Sequence, residues 1–156
     1  MISAKLVAML LRAISAYTGY AIPGDAPHIT AMSHDELAQV VCGRPCQVYG
    51  FTFPSGEIAI DRALAVGRDP VATSILVHEL THYLQIRSIA RPQPVDCRLW
   101  TDREREAFDV QTRWLRDTVR SIQAFSIDMA RLNLANVHES CSDHSLVAPP
   151  NSWTKG

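Results

Sequence analysis

The stretch from Asp69 to Arg87 constrains this chain more than any other. Asp69-Pro70 is a strong helix start, an N-cap acid followed by proline at the first helical position. From Val71 to about Arg87 nothing interrupts a helix. Ile75, Leu76, Val77, Leu80 and Leu84 make it apolar most of the way round, the pattern of a buried helix. His78, Glu79 and His82 nevertheless sit in the middle of it. Unpaired buried polar groups are costly, so the fold that encloses this helix must supply partners for all three.

Zinc is the economical partner. Two histidines four apart on a helix share one face, so both imidazoles can chelate a single ion. Glu79, one position on, projects beside that ion rather than onto it. There it can take a proton from a zinc-activated water and later return it to a leaving group. The pattern His-Glu-x-x-His therefore points to a catalytic metal centre, with His78 and His82 as ligands and Glu79 as general base.

A catalytic zinc needs a third protein ligand and an open position. The candidates are Glu104 and Glu106, in Thr101-Asp-Arg-Glu-Arg-Glu-Ala-Phe-Asp-Val-Gln111. Two residues apart on a helix, they diverge by about 200°, so only one can face the metal. Glu104 shares its face with Ala107, Phe108, Gln111 and Leu115, an apolar stripe expected to point inward. Glu106 lines up with Asp109, Arg113 and Asp117, a charged face expected in solvent. Glu104 is thus the expected ligand. The competing role for it is local: Thr101-x-x-Glu104 fits a capping box, in which the glutamate only returns to the helix start.

The rest of the chain fills in a mostly helical α+β domain over residues 1–156. Leu6, Met9, Leu10, Ala13, Ile14 and Tyr17 recur at helical spacing and mark a first, core-packing helix. The apolar run Leu6 to Leu11 is too short to span a membrane and lacks the features of a signal peptide. Ser33-His-Asp-Glu36 is a capping box for a short helix over Asp35 to Val41. Gln47 to Phe53 and Glu57 to Asp61, joined by Pro54-Ser-Gly56, form a β-hairpin. Ser88 to Pro94 is a loop, a helix runs from near Thr101-Asp102 to about Ile122, and another covers Ser126 to about Val137. Trp100, Phe108 and Trp114 are expected in the core, and His28 and His34 have no assigned role.

Charge and cysteine content bound the partners. A formal net charge of -1 over 156 residues, with both signs interspersed, gives no electrostatic footprint for nucleic acid. Cys42 and Cys46 flank a Gly-Arg-Pro turn that could close a small loop, and Cys97 and Cys141 complete an even count. Two disulfides would suit a periplasmic or secreted protein, whereas four reduced thiols would suit a cytoplasmic one.

His78-Glu-Leu-Thr-His-Tyr-Leu-Gln85 followed by Glu104-Arg-Glu-Ala107 resembles the gluzincin zinc peptidases, in which a downstream helical glutamate completes the site. Cys42-Gly-Arg-Pro-Cys46, the hairpin and the Glu-Arg-Glu-Ala-Phe-x-x-Gln element are similar to short bacterial proteins of minigluzincin type. The likeness covers about residues 40–115, within an active core of about 40–120. It implies a zincin-like fold and hydrolysis of a peptide or protein substrate. It also implies that the strand before the metal helix, here Glu57 to Asp61, offers its edge to an extended peptide. One departure stands out. Many gluzincins carry an aspartate where this chain has Phe108, so the contact that orients a zinc-bound histidine must come from elsewhere, with Gln111 as candidate. Tyr83, His138 and His144 are candidates for stabilising an oxyanion. The alternative to a peptidase is a zinc-containing binding or regulatory module with little turnover.

Overall fold

Ser3 opens helix α1 (Ala4–Thr18) by accepting the Leu6 amide on its hydroxyl. Gly19 closes it at a φ of 80°, a conformation that costs glycine nothing. The computed structural model describes residues 2–89 and 97–119. The expected helix from Ser126, His138, His144 and Cys141 lie outside the described residues, as does the Cys97 side chain. The inward face of α1 is Val7, Leu10, Leu11 and Ile14. Met9, expected in that stripe, is 54% exposed instead. Both stripes have helical spacing, and packing against the later helices selects between them.

Strand β1 (Ile29–Met32) leads into α2 (His34–Cys42), where Ser33 and Glu36 form the anticipated capping box. Strands β2 (Gly50–Thr52) and β3 (Ile58–Asp61) make the expected antiparallel hairpin. The third strand was not legible: β1 pairs in parallel with β3, giving the order β1-β3-β2. This overturns the expectation of a peptide-binding edge on residues 57–61, because β3 is paired on both sides. It also explains why all four β3 residues are buried where an alternating strand was anticipated. Asp61, at its end, accepts the Ala63 amide and pairs with His34 Nδ1 at 3.1 Å, so His34 has a structural partner.

Helix α3 (Pro70–Arg87) starts at Asp69, whose carboxylate accepts the Val71 amide. It packs against α1, β2, β3 and α4 (Cys97–Thr118), which explains its all-round apolar sequence. Leu76, Val77, Leu80 and Leu84 are fully buried with Leu10, Ile14, Ile58 and Ile60 in one cluster, joined by Val110, Trp114 and Leu115 of α4. At about 25 cal/mol per Å² of apolar surface, such side chains supply most of the stabilisation. Helix α4 begins at Cys97 rather than near Thr101. Thr101 therefore lies inside the helix, and the capping-box role for Glu104 falls away.

The result is an α+β fold, mostly helical, with a small sheet. Among the described residues, no helix is long and apolar enough to cross a membrane.

Candidate metal centre

Helix α3 passes along the floor of a cleft of about 860 Å³, with β2 on one wall and α4 on the other. His78 and His82, one turn apart, point their Nε2 atoms at the same place, 3.0 Å from each other. Glu104 of α4 reaches the same place. Its Oε2 lies 3.3 Å from His78 Nε2 and its Oε1 lies 3.1 Å from His82 Nε2. Helical spacing turned Glu104, rather than Glu106, towards the histidines, and its carboxylate is the one found there.

The three groups could hold a metal ion. Ligand atoms about 2.0–2.1 Å from a tetrahedral ion stand about 3.3 Å from one another. The two Nε2 atoms are 3.0 Å apart, and each lies within 3.3 Å of a different Glu104 oxygen, separations near that spacing. Two imidazole nitrogens and a carboxylate can all present lone pairs to one point, which is what a bound metal ion needs.

The protonation pattern of His82 follows from its neighbour. Gln85 is 3% exposed, and its amide nitrogen donates to the Arg103 carbonyl at 3.0 Å and to Glu106 Oε2 at 2.8 Å. Both partners only accept, so the Gln85 carbonyl oxygen is the atom that faces His82 Nδ1, at 2.8 Å. Nδ1 therefore carries a proton and donates it. In the neutral ring the lone pair is then on Nε2, where a metal would meet it. His78 has no such support. Its Nδ1 is buried without a hydrogen-bond partner among the described residues, and the Phe108 ring packs against the imidazole with centroids 4.4 Å apart.

Electrostatics couples the groups. Burial alone would lower the pKa of His82, but the Glu104 carboxylate, with help from Glu79 and Gln85, raises it to about 9. Burial works against ionisation of Glu104, yet the two histidines hold its carboxyl well below the usual range.

Glu79 stands beside the triangle, 6% exposed, and takes no part in it. Burial pushes its carboxyl pKa up, against the pull of His78, His82 and the Thr52 hydroxyl. Thr52 fixes its position: Oγ1 lies 2.8 Å from Glu79 Oε2 and 2.9 Å from the Glu79 carbonyl. Gly50 makes room for it. A Cβ there would fall 2.8 Å from Glu79 Cγ and 2.9 Å from Oε1. Neither residue was singled out from the sequence, because their role depends on how β2 sits over α3. The absence of a side chain at position 50 within a strand was the only signal.

Other expectations are revised. Gln111 donates to Ser74 Oγ at 3.0 Å, so it does not stand in for the aspartate that Phe108 replaces. The Tyr83 hydroxyl donates to the Asp25 carbonyl at 2.7 Å, and its ring is buried in the core rather than lining the cleft. Trp114 is in the core as expected, whereas Trp100 and Phe108 line the cleft. Glu106 is not simply solvated. It receives hydrogen bonds from Gln85 and from Tyr20, whose hydroxyl lies 2.8 Å away. Beyond it on the same helix face, Arg113 stacks over the Tyr17 ring and Asp117 accepts the Tyr17 hydroxyl. Cys42 and Cys46 form a disulfide, and both Cys42 and the following segment from Gln47 to Thr52 line the cleft.

No protein-family model matches the chain, and searches of curated proteins and of solved structures found no match.

Proposed function

We propose that the chain is a zinc-dependent metallohydrolase acting on peptide bonds, with zinc held by His78, His82 and Glu104. The observation that carries this reading is the convergence of three ligand atoms beside a buried carboxylate that is not one of them. A purely structural zinc site is closed by four protein ligands and has no use for an adjacent base. When bound, zinc supplies Lewis-acid polarisation of a water and of the scissile carbonyl. Glu79 accepts the proton of the attacking water and delivers it to the departing amine. Its raised pKa suits both halves of that transfer, and Thr52 and Gly50 keep it in place.

The edge of β2 supports a peptide as substrate. Phe51 pairs with Ala59, Phe53 N–H donates to the Glu57 carbonyl, and the Tyr49 carbonyl accepts from Asp61. By the alternation of an antiparallel ladder, the N–H and C=O of Gly50 and Thr52 then point away from β3. An extended peptide can pair with them along the cleft wall. The Cys42–Cys46 bridge favours an oxidising compartment, periplasmic or extracellular.

One observation favours a second reading, a zinc-containing binding module with little turnover. Among the described residues, His78 Nδ1 lacks the support that ligand histidines usually have. Incubation with a mixed peptide library, read by mass spectrometry, separates the two. A peptidase produces new termini that disappear with chelator and with Glu79→Gln. Zinc-loaded protein that cleaves nothing in the library would favour the binding module.

A further inference from the structure

The hydrogen bonds behind the two histidines are unequal, and the chain behind His82 runs from α3 to α4 and on to the residue that follows the α1 cap. His82 Nδ1–H donates to Gln85 Oε1 at 2.8 Å, and the Gln85 amide donates to Glu106 Oε2 at 2.8 Å. Tyr20, just past the end of α1, donates to that same Glu106 oxygen, also at 2.8 Å. Among the described residues His78 Nδ1 has no hydrogen-bond partner, and the Phe108 ring packs against the imidazole.

We infer that Gln85 is the positioning residue of His82, and that Glu106 and Tyr20 lock its amide in the orientation that leaves His82 Nε2 open to the ion. The inference rests on the zinc reading above and adds who holds the ligand. A side-chain amide has two nearly isosteric orientations, and by itself Gln85 could present either end to the histidine. With the amide reversed, its oxygen would face the Arg103 carbonyl and the Glu106 carboxylate, which only accept. Its nitrogen would then ask His82 Nδ1 to accept, moving the ring proton to Nε2 and closing the metal position. Gln85 is 3% exposed, so water does not readily repair the reversed arrangement. The Glu106 carboxylate thus selects the tautomer of a histidine it does not touch. The Tyr20 hydroxyl, donating to the same oxygen, holds that carboxylate in place. Glu106, set apart from the site by helical spacing, supports it from the opposite side of Gln85.

The test is zinc affinity, measured by competition with a chromogenic chelator on wild type, Gln85→Leu, Glu106→Gln and the double variant. Thermal unfolding of each metal-free chain is followed in parallel. Gln85→Leu should weaken zinc about 10–100-fold, the usual cost of losing the partner of a ligand histidine. Glu106→Gln, nearly isosteric, should weaken it by a smaller factor. The double variant should bind no more weakly than Gln85→Leu, because both changes break one chain. In the zinc-loaded protein, proton NMR should show a protected, downfield His82 Nδ1–H that Gln85→Leu removes while leaving the His78 signal in place. A loss of folding alone would not move one ring proton selectively. Affinities within about twofold of wild type for both single variants would overturn the inference while leaving the zinc site standing. A wild type that takes up no zinc would overturn both.

Discussion

The two helices that face each other across the cleft are held in place by different means. On α3, His78 and Glu79 are 8% and 6% exposed and line the cleft, on a helix whose other faces enter the core. Their positions are set by α1, by β3 and by the strand above them. On α4, the Glu104 side chain is 15% exposed, as is that of His82 opposite it, and the helix carries one face to the cleft and another towards α1. The α3 groups sit on a helix held by apolar packing, with Thr52 and Gln85 bonded to their polar atoms. The outer face of α4 is held instead by hydrogen bonds from Tyr17 and Tyr20. Substitutions should therefore act through folding on one side and through chemistry or tethering on the other.

The largest effect expected on stability lies on α3. Leu80, fully buried, should cost about 2–5 kcal/mol on replacement by alanine, measured by urea unfolding. A cost under about 1 kcal/mol would mean that α3 is not enclosed as described.

Next comes the seat of Glu79 under β2. Gly50→Ala puts a Cβ within 2.9 Å of Glu79 Cγ and Oε1, so the carboxylate must shift. If the peptidase reading holds, turnover should fall about 10²-fold while zinc content stays at the wild-type level, since a displacement near 1 Å is enough. Equal loss of zinc and turnover would show that the strand supports the metal rather than the base.

The tethers between α1 and α4 give a pH signature. Burial first, and then the bonds to Asp117 and Glu106 with their charges, raise the Tyr17 and Tyr20 phenols from 10.0 to about 12. A folded-state pKa above the unfolded one adds stability that is complete below pH 10 and lost as pH rises through about 12. Denaturation midpoints of wild type should thus fall more steeply across that window than those of Tyr17→Phe/Tyr20→Phe. Parallel curves would remove the tethers from the account.

The smallest effect is expected on the solvent face of α4. The Arg105–Asp102 pair is exposed on both sides, so Arg105→Ala should change stability by no more than about 0.5 kcal/mol. A larger loss would show that this face packs against something.

The difference between local pattern and distant partners explains what the sequence disclosed. An all-round apolar helix is recognisable from its own residues, so α3 and the three polar groups on it could be read directly. The direction of Glu104 also followed from spacing along one helix. The capping box at Ser33 and the hairpin were local in the same way. What stayed hidden needed partners distant in the chain. Four residues, Ile29 to Met32, carry too little pattern to announce a strand, and only pairing with β3 makes them one. Among the described residues, that pairing puts β2 rather than β3 at an edge of the sheet. Thr52 and Gly50 gain their meaning from lying over Glu79, and Gln85 gains its own from Glu106, 21 positions away. Helix α4 started early because Cys97 to Trp100 carry no breaker, and a good capping pattern at Thr101 was mistaken for a beginning. The α1 face was misjudged at Met9 because two stripes met the same periodicity.

Metal content by elemental analysis, on wild type and Glu104→Ala purified side by side without added metal, tests the central claim most directly. The account predicts about one zinc per wild-type chain and a clear deficit in Glu104→Ala, because one of three ligands is gone. A folded wild-type chain that holds no zinc, even after incubation with it, would contradict the account.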